Sequence, residues 1–430
     1  MKKALLPSVF ALATVAYGGF WDTLNKVQRT VDTVKAVSEA IEGQPAQVKQ
    51  PEAIHVEQPT GARQAVAPDT AKSAAASAAQ GSVAQVSAAA DPAALAAFAG
   101  ARTTAADTAV PEVKWGRLNV KKPATPEQVQ EAKNAFLAEK RDLANASIAF
   151  GDVDDATVSA TLAVFHQATY VEVNKSKLTT LAPFALLRNA RKINLNGIDC
   201  ADMKPLAGLV GLKELSLHYC TIADFAPLAA LQSLEELDLY GANVSGSFAP
   251  LAACPRLKKV DFYAMKGPQA VYDSLGALVQ VKEFHGGLTK MTSLAWVRTV
   301  PQAETLKVFA EKIDDLTPVS TLVNLTYFRG WNMCGDSMST ALGDLSFLAP
   351  CRRLKKLELP GSAYSNTALI GTFTELEELD LSRAKQPVDV SFVKRLPKLK
   401  RISLNGTQVV NGDAIPSSVK VYKDKKTTGL

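Results

Sequence analysis

Cysteine and histidine are scarce in this chain, with five and four copies respectively among 430 residues. Cys200, Cys220, Cys254, Cys334 and Cys351 are an odd number, form no Cys-x-x-Cys pair and are too sparse for a disulfide scaffold, so at least one thiol is expected to stay free within a monomer. His55, His166, His218 and His285 are scattered, which leaves little from which to build a nucleophile, its base and an orienting group, or a metal site. His218 and Cys220 stand two apart, but Cys220 falls on an inward position of the pattern described below, where a small buried thiol is ordinary. Gly286-Gly287 lacks the motif of a phosphate-cradling loop. No catalytic residue, metal ligand or cofactor is therefore expected. After the first twenty residues no apolar run approaches the about 18 residues of a membrane-spanning helix. Excess charge of one sign is missing too. Lys and Arg number 48 against 42 Asp and Glu, and the formal charge of +6 is spread without a basic stripe or interleaved aromatics, which argues against nucleic acid as a partner.

What is present begins with Met1-Lys2-Lys3, a mostly apolar run from Ala4 to Ala16, and small residues at Ala16, Gly18 and Gly19. This is the charged start, short apolar stretch and small-residue exit of a secretory signal peptide, assigned to residues 1–18, and it predicts export to the periplasm, the cell surface or the medium. From Phe20, apolar residues recur at Leu24, Val27, Val31, Val34 and Ile41, which predicts an amphipathic helix over 20–42 that could oligomerise or dock on its own chain. Residues 43–110 are dominated by Ala, Ser, Gln, Thr and Pro and read as a flexible linker that cannot bury enough apolar surface to fold. Residues 111–169 read as a helical cap. Thr125 is the N-cap, Pro126 opens the helix, Gln128 closes a capping box, and Val129, Ala132, Phe136 and Leu143 share a face. Ile148 and Phe150 then alternate like a strand, and Ala156 to His166 read as a second helix with Val158, Leu162 and Phe165 inward.

From Tyr170 the chain compares with itself. An apolar-x-apolar pair recurs with its first member at Val171, Ile193, Leu215, Leu237, Val260, Phe284, Leu306, Phe328, Leu357, Leu379 and Ile402, most often 22 residues apart. Such a turn cannot bury its own leucines, but stacked turns share one continuous core. The pattern predicts about eleven leucine-rich repeats over 170–412: an α/β solenoid, a horseshoe with a parallel sheet on its concave side and short 3-10 or irregular limbs on its convex side. Asp202, Asp224 and Asp315 each precede a proline by three residues. At one per turn they read as caps of a Pro-started 3-10 piece rather than as catalytic carboxylates. Residues 413–430 are left as a basic tail.

The form LxxLxLxxxxIxDxxPLxxLxxL, running from about Tyr170 to Asn411, resembles the short 22-residue class of leucine-rich repeats known from bacterial internalin-like surface proteins. The resemblance implies a binding protein rather than an enzyme. In that class the third residue after the second leucine is usually an Asn whose side chain bonds the loop backbones in a ladder. Here the position holds Ser176, Ile198, Cys220, Ala242, Met265, Glu311, Met333, Ser362, Ala384 and Thr407, so such a ladder is expected to be nearly absent.

Because strand side chains alternate with period two, the residues between and after the apolar pairs face away from the core. After the pairs stand His218, Tyr240, Tyr263, Phe309 and Trp331; between them stand Asp238, Asp261, Lys307 and Arg329. Rigid aromatics with a charged margin make this row the candidate recognition surface, with Tyr219 a possible extension. A protein or peptide is the expected partner; a glycan, or a structural role in the cell envelope, is the alternative. Asp238 and Asp261 resemble a carboxylate pair but read as polar contacts or a weak cation site. Gly286-Gly287 is expected to interrupt its strand, and the turn after Phe328 carries extra residues through Met333-Cys334-Gly335-Asp336-Ser337, an insertion of the kind that serves binding or marks a degenerate repeat.

Overall fold

Each apolar-x-apolar segment buries two side chains and presents those on either side of them, and each becomes a short strand hydrogen-bonded to the same segment of the turns before and after it. The computed structural model describes residues 108–430, apart from 175, 177, 200, 201, 309–312 and 331–342. The expected signal peptide, the helix from Phe20 to Ile41 and nearly all of the spacer lie outside the described residues, as do Phe309, Trp331, Cys200, Cys334 and the insertion through Ser337. Among the described residues no helix is long and apolar enough to cross a membrane.

One sheet of fifteen strands runs through the described residues. It opens with an antiparallel hairpin, Glu112–Lys114 against Arg117–Val120, and every later neighbour is parallel. The register places the first apolar residue of each turn in one unbroken column: Leu118, Ile148, Val171, Ile193, Leu215, Leu237 and onward to Ile402 and Val421. From Leu118 to Ile402 these side chains are almost wholly inaccessible to water. Each buried leucine contributes about 2 kcal/mol that an isolated turn could not gain.

The sheet runs past both limits of the repeat read from sequence. Arg117–Val120 and Ser147–Phe150 belong to it on one side, and Lys420–Tyr422, in the basic tail, adds the last strand on the other. The helices Pro126–Ala138 and Asp155–Val164 take the place of the return limb in the first two turns; the first lengthens its turn to the 30 residues from Leu118 to Ile148, while the second keeps a step of 23 from Ile148 to Val171. Thr125 and Gln128 form the expected capping box, and Val129, Ala132 and Phe136 are buried. The helix stops at Ala138, so Leu143 belongs instead to the 3-10 turn Leu143–Asn145.

Later turns return through 3-10 pieces such as Ala226–Ala230 and Thr317–Thr321, each with proline near its start. Asp202, Asp224 and Asp315 accept the backbone N–H two residues on, from Lys204, Ala226 and Thr317, at 2.9, 2.7 and 2.8 Å. They are caps, as the once-per-turn spacing implied. Behind them Phe225 and Phe248 stack with ring centroids 4.9 Å apart. In place of the asparagine ladder, a partial one is built from shorter donors. Ser176 Oγ donates to the Gly151 carbonyl, Cys220 Sγ lies 3.8 Å from the Leu195 carbonyl, and Thr407 Oγ1 donates to that of Leu381 at 2.9 Å. Cys220, Cys254 and Cys351 are buried free thiols, and burial pushes Cys220 up to about 11 and Cys351 to about 12.

Just past the sheet, eight of the described turns carry a residue in the left-handed backbone region. Gly197, Gly241, Gly361 and Gly406 occupy it, but so do Tyr219, Ala264, Leu288 and Arg383 with φ of 49 to 56°. The position is imposed by neighbours, since its N–H donates to the next turn: Gly197 to His218, Tyr219 to Tyr240, Gly241 to Tyr263 and Ala264 to Gly287. A non-glycine residue there costs about 1–2 kcal/mol. Gly286 and Gly287 do not interrupt their strand. Glu283–Gly287 pairs along its full length with Lys259–Tyr263, and Gly286 occupies an inward slot already filled by the Phe262 ring, which a Cβ would approach to 2.2 Å.

Two substitutions test this account by urea denaturation. Ala264→Gly relieves the left-handed cost and should stabilise the fold by about 0.5–1 kcal/mol after the entropy of the added glycine is subtracted. Gly286→Ala should destabilise it by about 1–3 kcal/mol because the Phe262 ring has nowhere to go. No change for the second would mean the slot is not filled.

Candidate functional site

The residues between the apolar pairs pair across the sheet as one row: Ser216, Asp238, Asp261, His285, Lys307, Arg329 and Glu358. They face away from the core, together with His218, Tyr240 and Tyr263 one step further along their strands. Sequence alternation therefore places these site residues on one face. Phe309 and Trp331 were expected in the same line and lie outside the described residues.

Tyr240 and Tyr263 stack with ring centroids 5.5 Å apart and planes within 4°. Tyr219 meets the edge of Tyr240 at 5.4 Å, and His218 tilts against it at 5.7 Å. Tyr219 is 56% exposed although its backbone is left-handed, and its ring occupies the space above Gly241, where a Cβ would come within 2.5 Å of it. An exposed aromatic in a position that favours glycine is a departure that structure alone does not reward. Burial, followed by the neighbouring Tyr219 hydroxyl, pushes Tyr240 up to about 12, so its hydroxyl stays a neutral donor at physiological pH.

The acids beside the stack each do two things. Asp238 Oδ1 and Asp261 Oδ1 accept the backbone N–H of Tyr240 and Tyr263 at 3.0 Å, which holds the ends of those strands. Their other oxygens face imidazoles: Asp238 Oδ2 lies 2.8 Å from His218 Nε2, and Asp261 Oδ2 lies 3.5 Å from His285 Nδ1. They are thus positioning groups, consistent with the polar contacts expected of them. Among the described residues no group of three or more His, Cys, Asp or Glu could hold a metal ion.

A second cluster follows at Lys307 and Arg329, and sequence reading missed its centre. Tyr327, one residue before the apolar pair, also faces outward, because alternation applies on that side as well; this was the available signal. Its hydroxyl donates to Glu358 Oε2 at 2.9 Å, and the ammonium groups of Lys307 and Lys356 lie 5.0 and 4.8 Å from its ring centroid. Glu358 also pairs with Lys356 at 2.9 Å and Arg329 at 3.3 Å. Burial pushes the Glu358 carboxyl up, but Lys356, Arg329 and the Tyr327 hydroxyl outweigh it and hold the group below its ordinary value of 4.5. Burial, then the Glu358 charge, raises Tyr327 to about 12.

An internalin, InlF from Listeria monocytogenes, superposes with a TM-score of 0.51 at 18% identity, over 70% of this chain and 85% of that one. Internalin C2 from the same organism has a TM-score of 0.37 at 19% identity over 48% of this chain and 84% of its own. A leucine-rich-repeat protein of Leptospira interrogans has a TM-score of 0.38 at 14% identity over 65% and 90%. No known family description matches the chain, and neither does any curated protein. The fold is a leucine-rich-repeat solenoid, internalin-like in architecture.

The Glu358 cluster makes a pH prediction. Because folding lowers this carboxyl's pKa, its stabilisation is complete above the ordinary value of 4.5 and is lost as pH falls through the lower folded value. Glu358→Gln should cost about 1–2 kcal/mol at pH 7. Measured by denaturation from pH 7 to pH 3, the gap to wild type should shrink with acid. A gap that stays constant would show that the carboxylate charge is not what stabilises the cluster.

Proposed function

We propose that this chain is an exported binding protein that recognises a protein or peptide on the concave face of its sheet, centred on Tyr219, Tyr240 and Tyr263 and extended by His218, Asp238, Asp261, Lys307 and Arg329. Phe309 and Trp331 continue the surface by their place in the repeat. Export rests on the charged, apolar and small-residue pattern of residues 1–18. Residues 20–42, with their apolar residues at helical spacing, are the proposed element of self-association or docking.

The observation that carries the reading is Tyr219, kept exposed and left-handed against the tyrosine stack. Aromatic anchors of this kind, with a polar margin, dominate the energetics of protein recognition. The stack turns one face of Tyr240 and one of Tyr263 to each other, and Tyr219 and His218 pack against Tyr240, which leaves the ring edges, the hydroxyl groups and the side of Tyr263 toward Gly287 to a ligand.

The test is a double variant, Tyr240→Ala with Tyr263→Ala, compared with wild type in pull-downs from secreted proteins and on a glycan array. Loss of a protein partner by about 30-fold in affinity, roughly 2 kcal/mol, is expected with the thermal midpoint little changed. Retention of every partner by the variant would refute the site, and loss confined to the glycan array would replace the partner class.

A further inference from the structure

Cations on the face turned away from the core are almost all paired. Arg117, Lys192, Lys259, Arg329, Lys356 and Arg401 each have a carboxylate partner on the same face. Lys307 is the exception between Arg117 and Arg401: among the described residues it forms no ion pair, and its one close partner is the Tyr327 ring, 5.0 Å away. The side chain is half-buried. Burial pushes its ammonium down from the ordinary value and Arg329 adds to this, while Asp261 foremost, then Glu283 and Glu358, act against it without forming an ion pair. A partly desolvated ammonium without a counter-ion is a cost to the free protein that an arriving anion removes.

Its place in the sheet fits that role. Lys307 pairs in register with His285 on one side and Arg329 on the other, so the row turns from acidic at Asp238 and Asp261 to basic beside the tyrosine stack and back to acidic at Glu358. Arg329 and Lys356 are already engaged by Glu358. This leaves a single-charge seat with three carboxylates in the neighbourhood. A monoanion suits it; the double charge of a phosphate would meet those acids as well.

We propose that Lys307 receives the carboxylate of an Asp or Glu side chain of the bound protein or peptide, so that the ligand pairs an acidic residue with the group it packs against Tyr240 and Tyr263. The proposal rests on the reading of this face as a protein-binding surface and adds the charge its partner must carry. Specificity then comes from two adjoining elements, an aromatic edge that supplies area and one cation that selects sign.

Selection from a displayed library of unmodified random peptides tests it, with the full chain as bait in four forms: wild type, Lys307→Gln, Lys307→Glu, and Tyr240→Ala with Tyr263→Ala. Wild type should enrich Asp or Glu at one ligand position about tenfold. Lys307→Gln should lose that preference, and Lys307→Glu should replace it with Lys or Arg. Circular dichroism and thermal midpoints confirm that each bait is folded, and Lys307→Gln keeps the test valid if the reversed charge does not fold. Acidic enrichment that persists in Lys307→Glu, or no charge preference in wild type, overturns the proposal. Peptides lost in the tyrosine variant but indifferent to residue 307 would leave the binding face standing and remove only the role of Lys307. No selection by wild type would defeat both.

Discussion

A 22-residue turn has too few apolar side chains to close over itself, so its leucines become buried only when the neighbouring turns supply the other walls of the cavity. The column from Leu118 to Val421 is the result, and the remaining features follow from keeping it in register. Parallel pairing at every later step, a short limb, often started by proline, that brings the chain back, and an aspartate or serine that ends the approach in most turns are ways of delivering the next leucine to the same height. The same constraint fixes which side chains are left over. Whatever lies between and beside the apolar pairs is presented to water in rows, one residue per turn, with a spacing set by the sheet.

Those leftover rows carry the chemistry. The acids at Asp238 and Asp261 hold the strand ends beneath Tyr240 and Tyr263 through backbone N–H groups and face His218 and His285 with their second oxygens. A rigid aromatic edge is obtained without any loop having to be ordered on binding, which spares the entropy that a mobile surface would lose. The Tyr327 cluster beside it is built differently, with one carboxylate, Glu358, shared among a hydroxyl and two cations.

Much of this was legible in the sequence because solenoid geometry is periodic and so is its signature. The inward columns, the Asp caps at 202, 224 and 315, and the outward rows follow from counting. What was not legible lay where periodicity stops. The first turn is lengthened by a full helix and the last, from Ile402 to Val421, is shortened and lies in a lysine-rich segment, so the outermost strands escaped a search for 22-residue spacing, while Ile148, 23 residues before Val171, was read as part of the cap because a helix follows it. Gly286 looked like a break because glycine in a strand usually marks one; only the packing shows that Phe262 from the preceding turn fills its slot. The exposed, left-handed placement of Tyr219 was hidden, since no rule of alternation tells that a tyrosine occupies such a position, and Tyr327 was passed over because the row preceding the apolar pair was not read.

The left-handed residue after eight of the strands has a consequence for how such a surface can change. Its backbone is held by the hydrogen bond it gives to the next turn, whether the residue is Gly197, Tyr219, Ala264 or Arg383. The conformation belongs to the scaffold and not to the side chain. The rim of the sheet is therefore a series of display positions: glycine is the inexpensive default, and a large side chain costs about 1–2 kcal/mol of backbone strain where the space is open, as at Gly197, but not at Gly241, whose space the Tyr219 ring already fills. A solenoid of this kind can acquire a new ligand by substitution along one line of residues while its core remains as it was.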